Sequence, residues 1–340
     1  MRKFLVFAAL AMASGLWRQA PADADDFYKG KNLTILIGSP AGGVYDITAR
    51  LYGRHIGRFI PGTPVIVTQN MPGAGGIRAA NYLYNAAPKD GTTIALSLDN
   101  LLLNQFLTPN EVKFRAEKFN WIGRGDRPTR IVYAWNASGI KSVADAKSRD
   151  VLTGMTAPGT ASEMYPALAN ALVGTHFKLI SGYEGAGAMN LALERGEIEA
   201  VGANSWLSLV VTKPEWIRSG KVVPLFQTTL VRDPELADTP TLLELSPNAD
   251  ARAVIAFEAR AEEIGFYLIA PPGVPADRVA ILRGAFAAMA QNSDYLAEAK
   301  SLNMGTNFLA GAELQNIAAA EIATSSDIVE KFKAAASFKR

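Results

Sequence analysis

Three glycines and an acid stand in the segment GSPAGGVYD, residues 38–46, directly after the apolar run NLTILI. A glycine-rich turn after a strand lets main-chain N–H groups point together toward the next helix, whose N-terminus is partially positive. Such a turn favours a bound anion, and phosphate and carboxylate both fit it. Asp46 stands where an N-cap is expected, so its side chain could accept from the first-turn amides. A plain tight turn between strand and helix is the alternative.

A second turn of the same kind follows the predicted strand Val151–Thr156. Residues 157–162 read APGTAS, in which Thr160 and Ser162 add hydroxyl donors next to Gly159. Ligands of open α/β sheets bind at the carboxyl ends of the strands. Two such turns, one from each half of the chain, would face each other across a cleft. This pairing favours an anion site over two purely structural turns.

Motifs for the common kinds of catalysis do not match this sequence. Gly43 is followed by Val44, where a phosphate-binding loop requires Lys-Ser or Lys-Thr, and GSPAGG does not fit G-x-G-x-x-G. The nucleophile motif G-x-S-x-G does not occur. The two histidines, His55 and His176, lack metal-ligand spacing and are interpreted as structural or surface residues. We therefore expect a protein that is not an enzyme, with no cofactor and no metal.

The first residues have the pattern of an export signal. Arg2 and Lys3 precede the apolar stretch Phe4–Leu16, which is too short to span a bilayer as a helix. Cleavage is predicted after Ala24, in the small-x-small sequence ADA, and the sequence APA just before it is a second possible site. A membrane anchor is the alternative, which the length of the apolar stretch disfavours.

Composition and charge limit the possible partners. The 34 Lys and Arg against 32 Asp and Glu give a formal net charge of +2, which removal of residues 1–24 would bring to 0. A neutral chain without a basic run has little electrostatic reason to bind nucleic acid. The absence of cysteine excludes disulfides and thiol chemistry. An exported, cysteine-free chain suits the bacterial periplasm, and we expect a monomer.

Short apolar strands alternate with amphipathic helical stretches, which is the signature of parallel α/β sheets. The segment 25–340 exceeds a comfortable single core, so two domains are expected. We predict an α/β, two-lobed, periplasmic-binding-protein-like fold with two hinge crossings: lobe 1 is 25–125 plus 263–340, and lobe 2 is the inserted segment 126–262. The predicted elements include helices at Asp46–Phe59, Gly75–Asn85, Ala161–Leu172 and Ala312–Ala335, and strands at Asn32–Ile37, Ile198–Val201 and Val222–Gln227.

Three separated motifs resemble the Bug proteins, the TctC-like periplasmic receptors of tripartite tricarboxylate transporters. Residues 40–46 (PAGGVYD) match the family's P-x-G-G-x-x-D turn, residues 70–76 (NMPGAGG) match N-x-P-G-A-G-G, and residues 270–275 (APPGVP) match A-P-x-G-x-P. The resemblance covers essentially the whole mature chain. It implies a Venus-flytrap-like receptor that holds a carboxylate between two opposed turns, largely through main-chain amides and ordered water.

The resemblance also implies positions that contact the ligand. The first turn, the glycine motif and the segment SLDNL after the third strand would contribute from lobe 1. The APGTAS turn, the family's Y-x-G loop and a later strand end would contribute from lobe 2. Tyr45 and Arg127, which are considered below, are added to these positions. The predicted ligand-binding residues are Ser39, Pro40, Gly42, Gly43, Tyr45, Asp46, Gly75, Ser97, Asp99, Arg127, Gly159, Thr160, Ala161, Ser162, Tyr183 and Asn204.

Some positions depart from the family pattern. Glu184 replaces a basic residue often found in the Y-x-G loop, and Ala203 stands where an acid is common. Arg127 and Arg130, at the predicted first crossing, are an unusual pair of charges. We hypothesise that Arg127 approaches the distal end of the ligand; an exposed hinge arginine is the alternative.

Four aromatic residues near predicted strand ends could stack on a ring in the ligand. They are Tyr45, Trp135, Tyr183 and Trp206. Core packing is the alternative, because most tryptophans in such folds lie in the core.

These observations predict an extracytoplasmic receptor that closes its two lobes over an organic acid and delivers it to integral-membrane transporter subunits. One alternative is a carboxylate receptor that feeds a signalling system, and another is a hydrolase or isomerase acting on carboxylates. The sequence does not name the ligand. Citrate-like acids, dicarboxylates, aromatic acids and acidic amino acids all remain possible, because main-chain donors recognise only the carboxylate.

Overall fold

The computed structural model describes residues 27–156 and 160–336. The predicted signal peptide, residues 1–24, and Gly159 of the second turn lie outside the described residues. The strands are β1 Asn32–Ile37, β2 Val65–Asn70, β3 Thr93–Leu96, β4 Asn120–Asp126, β5 Arg130–Trp135, β6 Val151–Gly154, β7 Phe177–Ile180, β8 Ala200–Ser205, β9 Val222–Gln227, β10 Phe266–Ala270 and β11 Leu309–Ala310. The helices are α1 Val44–Ile56, α2 Ile77–Asn85, α3 Leu101–Leu107, α4 Val143–Ser148, α5 Ala161–Val173, α6 Ala186–Glu194, α7 Trp206–Thr212, α8 Pro214–Arg218, α9 Ala249–Glu262, α10 Ala276–Ala290, α11 Ser293–Ser301, α12 Gly311–Ile322 and α13 Ser326–Ala335.

The strands form two sheets. Within the described residues, the first sheet has six strands in the order β11-β4-β10-β3-β1-β2, and the second has five in the order β7-β6-β8-β5-β9. Strands β1, β2 and β3 run parallel at one end of the first sheet, and β6, β7 and β8 run parallel at one end of the second. The pairings of β10 with β3 and β4, of β11 with β4, and of β5 with β8 and β9 are antiparallel. Helices accompany both sheets, so the predicted two-lobed α/β fold is confirmed.

The chain passes between the sheets at two places. The first passage is the short segment between β4, whose last residue Asp126 pairs with Phe266, and β5, which begins at Arg130. The second leads from β9 through α9 back to β10. All strands of the second sheet lie inside the segment 126–262, but the predicted lobe boundaries themselves stay a prediction.

Several predicted elements differ in extent from the observed ones. The strand predicted at Ile198–Val201 lies further along the chain, as β8. The long C-terminal helix is interrupted, because the Ser325 hydroxyl accepts from the Ile328 N–H and so caps a new helix, α13. Helices α3, α7, α8 and α9 were not predicted. Within residues 27–156 and 160–336, no helix has the length and apolar character that crossing a membrane requires.

The largest apolar core joins the two lobes. It contains Trp121 and Tyr267 from the first sheet, Phe226 from the second, and Phe257 from α9 between them. Helix α9 packs on α12 and α13, and it also contacts α5 of the second lobe. The two lobes therefore share a continuous buried surface on the side of α9.

A carboxyl group is buried in this shared surface. Glu258 on α9 is 1% exposed, with Tyr165 of α5 and Glu321 of α12 as neighbours. Burial raises the pKa of Glu258 from 4.5 to about 8, although the Tyr165 hydroxyl and Arg130 oppose the shift. Between these two pH values the folded chain holds a proton that the unfolded chain releases. Stability from this group is therefore lost as the pH rises from about 4.5 to about 8.

Replacing Glu258 by glutamine should raise the free energy of unfolding at pH 8 by about 2 kcal/mol or more, with little change at pH 5. The amide keeps the shape of the carboxyl and cannot ionise. Urea unfolding at the two pH values measures the effect. Glu330→Gln is the control, because Glu330 is 70% exposed beside Lys333 and should contribute less than about 0.5 kcal/mol. An equal effect of Glu258→Gln at both pH values would contradict the prediction.

Candidate ligand site

The turn after β1 exposes the N-terminus of α1. Residues 40–43 are exposed, and Gly42 has a left-handed φ of +84°. The helix begins at Val44, and Gly43 is its N-cap. Glycine has no side chain, so the first amides of α1 have no side-chain cap. Asp46 is the third residue of the helix, so the prediction that it is the N-cap was wrong.

The Asp46 carboxylate instead stabilises the turn through its hydrogen bonds. It is 4% exposed and accepts from the Gly42 N–H at 2.9 Å, from Arg50 Nε at 3.0 Å and from Asn70 Nδ2 at 2.9 Å. Asn70 also donates to the Ser39 carbonyl at 3.0 Å. The hydrogen bonds from Arg50, Gly42 and Asn70 lower the pKa of Asp46 from 3.8 to about 2, against the effect of burial. The first two sequence motifs therefore meet in one network that fixes the turn.

The glycine motif after β2 packs against the end of β3. Its residues 73–76 all have positive φ, and a Cβ at Gly76 would lie 3.2 Å from Ser97 Oγ and 3.1 Å from the Leu98 side chain. Ser97 is 1% exposed, so it lies beneath the surface. Gly75 is exposed next to Asn100. Of these two predicted ligand residues, only Gly75 is accessible.

The second turn is closed by its own hydroxyl groups. The Thr156 N–H donates to Ser162 Oγ at 3.0 Å, and the hydroxyls of Thr156, Thr160 and Ser162 lie 2.9 to 3.1 Å from one another. A Cβ at Gly202 of β8 would lie 2.0 Å from the Ser162 carbonyl oxygen, so only glycine permits this approach. Helix α5 begins at Ala161 without a side-chain cap. The predicted hydroxyl donors therefore hold the turn in place.

A cavity of about 430 Å³ lies between the two lobes. The N-terminus of α1 lines it from the first lobe, β8 and α7 line it from the second, and Pro128 and Arg130 at the first crossing also line it. Tyr45 and Asn204 are the predicted ligand residues in this lining, one from each lobe. The other predicted residues that the structure describes lie outside the lining of this cavity: Ser39, Pro40, Gly42, Gly43, Asp46, Gly75, Ser97, Asp99, Arg127, Thr160, Ala161, Ser162 and Tyr183.

Helix α7 supplies much of the wall and was missed from the sequence. Its residues Leu207, Ser208 and Val211 line the cavity. Ser205 precedes the helix, and its hydroxyl accepts from the Ser208 N–H at 3.5 Å. A serine directly before the apolar run WLSLVV is a helix-start signal that could have been recognised.

Arg130 lines the cavity and lies between two acids. Its guanidinium pairs with Asp99, which follows β3, and with Glu262 at the end of α9. Burial alone would lower the pKa of Arg130, but the Asp99 carboxylate raises it. Burial alone would raise the pKa of Asp99, and the charge of Arg130 holds it below its usual value. The Tyr45 hydroxyl accepts from the Asp99 N–H at 3.4 Å, which joins the triad to the start of α1.

Arg127 lies outside the lining of the interlobe cavity, and its predicted approach to the ligand stays a prediction. Its guanidinium pairs with Glu263, the side chain is 8% exposed, and it lines another depression with Asp233 and Gly305. The structure therefore places Arg130, and not Arg127, in the wall of the interlobe cavity. Arg127 is also not the exposed hinge arginine that was the alternative.

Of the four aromatic candidates, one lines the cavity and the other three pack within the second lobe. Tyr45 lines the cavity, with its ring edge-on to Phe266 at 5.1 Å between centroids. Trp206 is 9% exposed and donates to Glu235, and Trp135 packs on Trp216. Tyr183 packs at the edge of the second-lobe core.

The fold and the interlobe cavity define the class: the chain has the two-lobed α/β fold of periplasmic solute-binding proteins. More particularly, it resembles the TctC and Bug proteins, as the sequence motifs indicated. A TctC solute-binding protein from Polaromonas, solved without ligand, superposes with a TM-score of 0.70 at 21% identity, over 89% of this chain and 99% of that one. MatC from Rhodopseudomonas palustris with bound malate gives 0.61 at 23%, over 88% and 99%. The periplasmic binding protein BugD gives 0.59 at 20%, over 91% and 98%.

Similarity to curated sequences is weaker and partial. A UPF0065 protein in the gbd 5'region of Cupriavidus necator is 37% identical over 97 residues, which are 28% of this chain and 29% of that protein. A UPF0065 protein in the TAR-I ttuE-ttuC' intergenic region of Agrobacterium vitis is 27% identical over 229 residues, which are 66% of this chain and 64% of that protein. The matches thus span less than two thirds of the length of these relatives. No family model matches the chain.

Proposed function

We propose that this protein is a receptor that binds a small organic carboxylate between its two lobes. The observation that carries the proposal is the uncapped N-terminus of α1 at the wall of a cavity that both lobes line. Val44 and Tyr45 are the first two residues of that helix and also belong to the cavity lining. An anion in the cavity would therefore meet main-chain N–H groups at the positive end of a 13-residue helix.

The surroundings of the turn support binding of an anion. Asp46 is close to these amides, but hydrogen bonds from Arg50, Asn70 and the Gly42 N–H already engage its charge. The turn is braced before any ligand arrives, so few groups need to be ordered on binding. Closure of the lobes would exclude water and strengthen each amide–carboxylate hydrogen bond.

The biological setting belongs to the same proposal. The motif resemblance and the fold support membership of the TctC and Bug group, whose solved members include MatC with malate. On this proposal residues 1–24 direct export, the mature chain acts as a periplasmic monomer without catalysis, and the closed form delivers its acid to integral-membrane transporter subunits. The transporter would recognise the loaded receptor by its closed shape.

Calorimetry with a library of carboxylic acids tests the proposal, with the matching primary amides as ligand controls. Acids should bind without turnover, and amides should not bind. Val44→Pro removes one amide at the first helical position, where proline is tolerated, and should weaken binding about tenfold. Val44→Ala controls for the lost side chain, and Ser326→Pro makes the same change at the start of α13. Equal affinities of Val44→Pro and Val44→Ala would rule out this helix terminus as the site.

A further inference from the structure

Both lobes contribute exposed apolar side chains to the lining of the interlobe cavity. Val44 and Ile47 of α1 are 50% and 39% exposed, and both line the cavity. From the other lobe, Leu207 and Val211 of α7 line it, and Val211 is 41% exposed. Two helices therefore present accessible apolar side chains to the same space. The start of one of them is the anion-binding terminus proposed above.

The charges in and next to the lining of the cavity disfavour a second carboxylate on the ligand. Among the described residues that line it, Arg130 is the single cation. Its guanidinium is already shared between Asp99 and Glu262, so this triad has a net negative charge. Asp126 also lies in the lining. A distal carboxylate would have to lose its water next to acids, which costs free energy unless a cation compensates it.

From these two observations we infer that the ligand is a monocarboxylate with an apolar body. The inference rests on the proposed function and narrows its ligand class. The N-terminal amides of α1 hold the carboxylate, and the body lies between Val44 and Ile47 on one lobe and Leu207 and Val211 on the other. Closure then buries the apolar surfaces of both lobes and of the ligand together. This chain would differ in ligand class from MatC, whose solved structure contains malate.

Hexanoate and adipate form a matched pair for the test, because they have the same number of carbons and differ in the second carboxylate. Calorimetry with the mature chain should give a dissociation constant for hexanoate at least tenfold lower than for adipate. Benzoate and malate form a second pair and should show the same order.

A substitution in α7 tests where the apolar body of the ligand lies. Val211→Asn should weaken hexanoate binding about five- to tenfold, because it replaces apolar contact by an amide. Valine and asparagine have similar helix propensities, so α7 should be retained. Val231→Asn is the control, because Val231 is 68% exposed and does not line the cavity.

The outcomes separate this inference from the proposed function. Tighter binding of adipate or malate than of their partners would overturn the inference and leave the carboxylate receptor standing. Unchanged hexanoate affinity in Val211→Asn would overturn the placement of the apolar body. If none of the four acids binds at millimolar concentration, the proposed function fails, and this inference fails with it.

Discussion

Asp46→Asn is expected to lower the free energy of unfolding by about 2 to 3 kcal/mol and to weaken ligand binding at least tenfold. The carboxylate accepts from a main-chain N–H, a guanidinium and an amide, and it is 4% exposed. Asparagine has one acceptor oxygen, so its NH₂ group would face at least one of these donors. The Gly42 turn would then lose its support. Urea unfolding and calorimetry measure the two effects.

The pH dependence of the free energy of unfolding gives a second test of the role of Asp46. The pKa of Asp46 is lowered to about 2, so its stabilisation is fully present above about pH 3.8 and is lost as the pH falls toward 2. Asp46→Asn should remove this part of the acid dependence. Asp327→Asn is the matched control: Asp327 also pairs with a residue four positions later, Lys331, in the first turn of a helix, but it is 70% exposed. Asp327→Asn should lower the free energy of unfolding by less than about 0.5 kcal/mol. If the two substitutions lower the free energy of unfolding equally, Asp46 does not stabilise the turn as proposed.

Arg130→Met is expected to lower the free energy of unfolding by about 3 to 5 kcal/mol. The guanidinium is 19% exposed, and its partners Asp99 and Glu262 are 15% and 12% exposed. Removing it leaves two carboxylates close together in a poorly hydrated place without a cation. Their pKa values should rise, so the loss of stability should be larger at pH 8 than at pH 5.

Two further variants separate a buried ion triad from an ordinary surface pair. Arg149→Met is the matched control, because Arg149 pairs with Glu199 but is 43% exposed, and its loss should cost about 1 kcal/mol or less. In the triple variant Asp99→Asn, Arg130→Met, Glu262→Gln the uncompensated charges are gone. It should recover most of the stability lost in Arg130→Met. If Arg130→Met lowers the free energy of unfolding no more than Arg149→Met does, the ion triad does not contribute the stability proposed for it.

Much of the fold could be predicted because its signals are local. β1 was predicted with its observed ends, Asn32–Ile37, and β9 with its ends, Val222–Gln227. In both, a short apolar run is bounded by turn residues or charges, so neighbours in the sequence decide the strand. Helix α9 was missed because its signals are weak: an Asn248 cap followed by an alanine-rich, charged segment without a clear apolar stripe.

The sequence by itself predicted the two-lobed α/β fold, the two glycine-containing turns and a helix after each of them. Only the tertiary structure decided which side chains surround that cavity. Antiparallel pairing of β5 with β8 sets Arg130 opposite Ser205, and this brings the arginine beside the start of α7. The same pairing leaves Arg127 outside the sheet, where it meets Glu263. Two arginines three positions apart therefore have different surroundings, because strand register and order depend on contacts between distant segments.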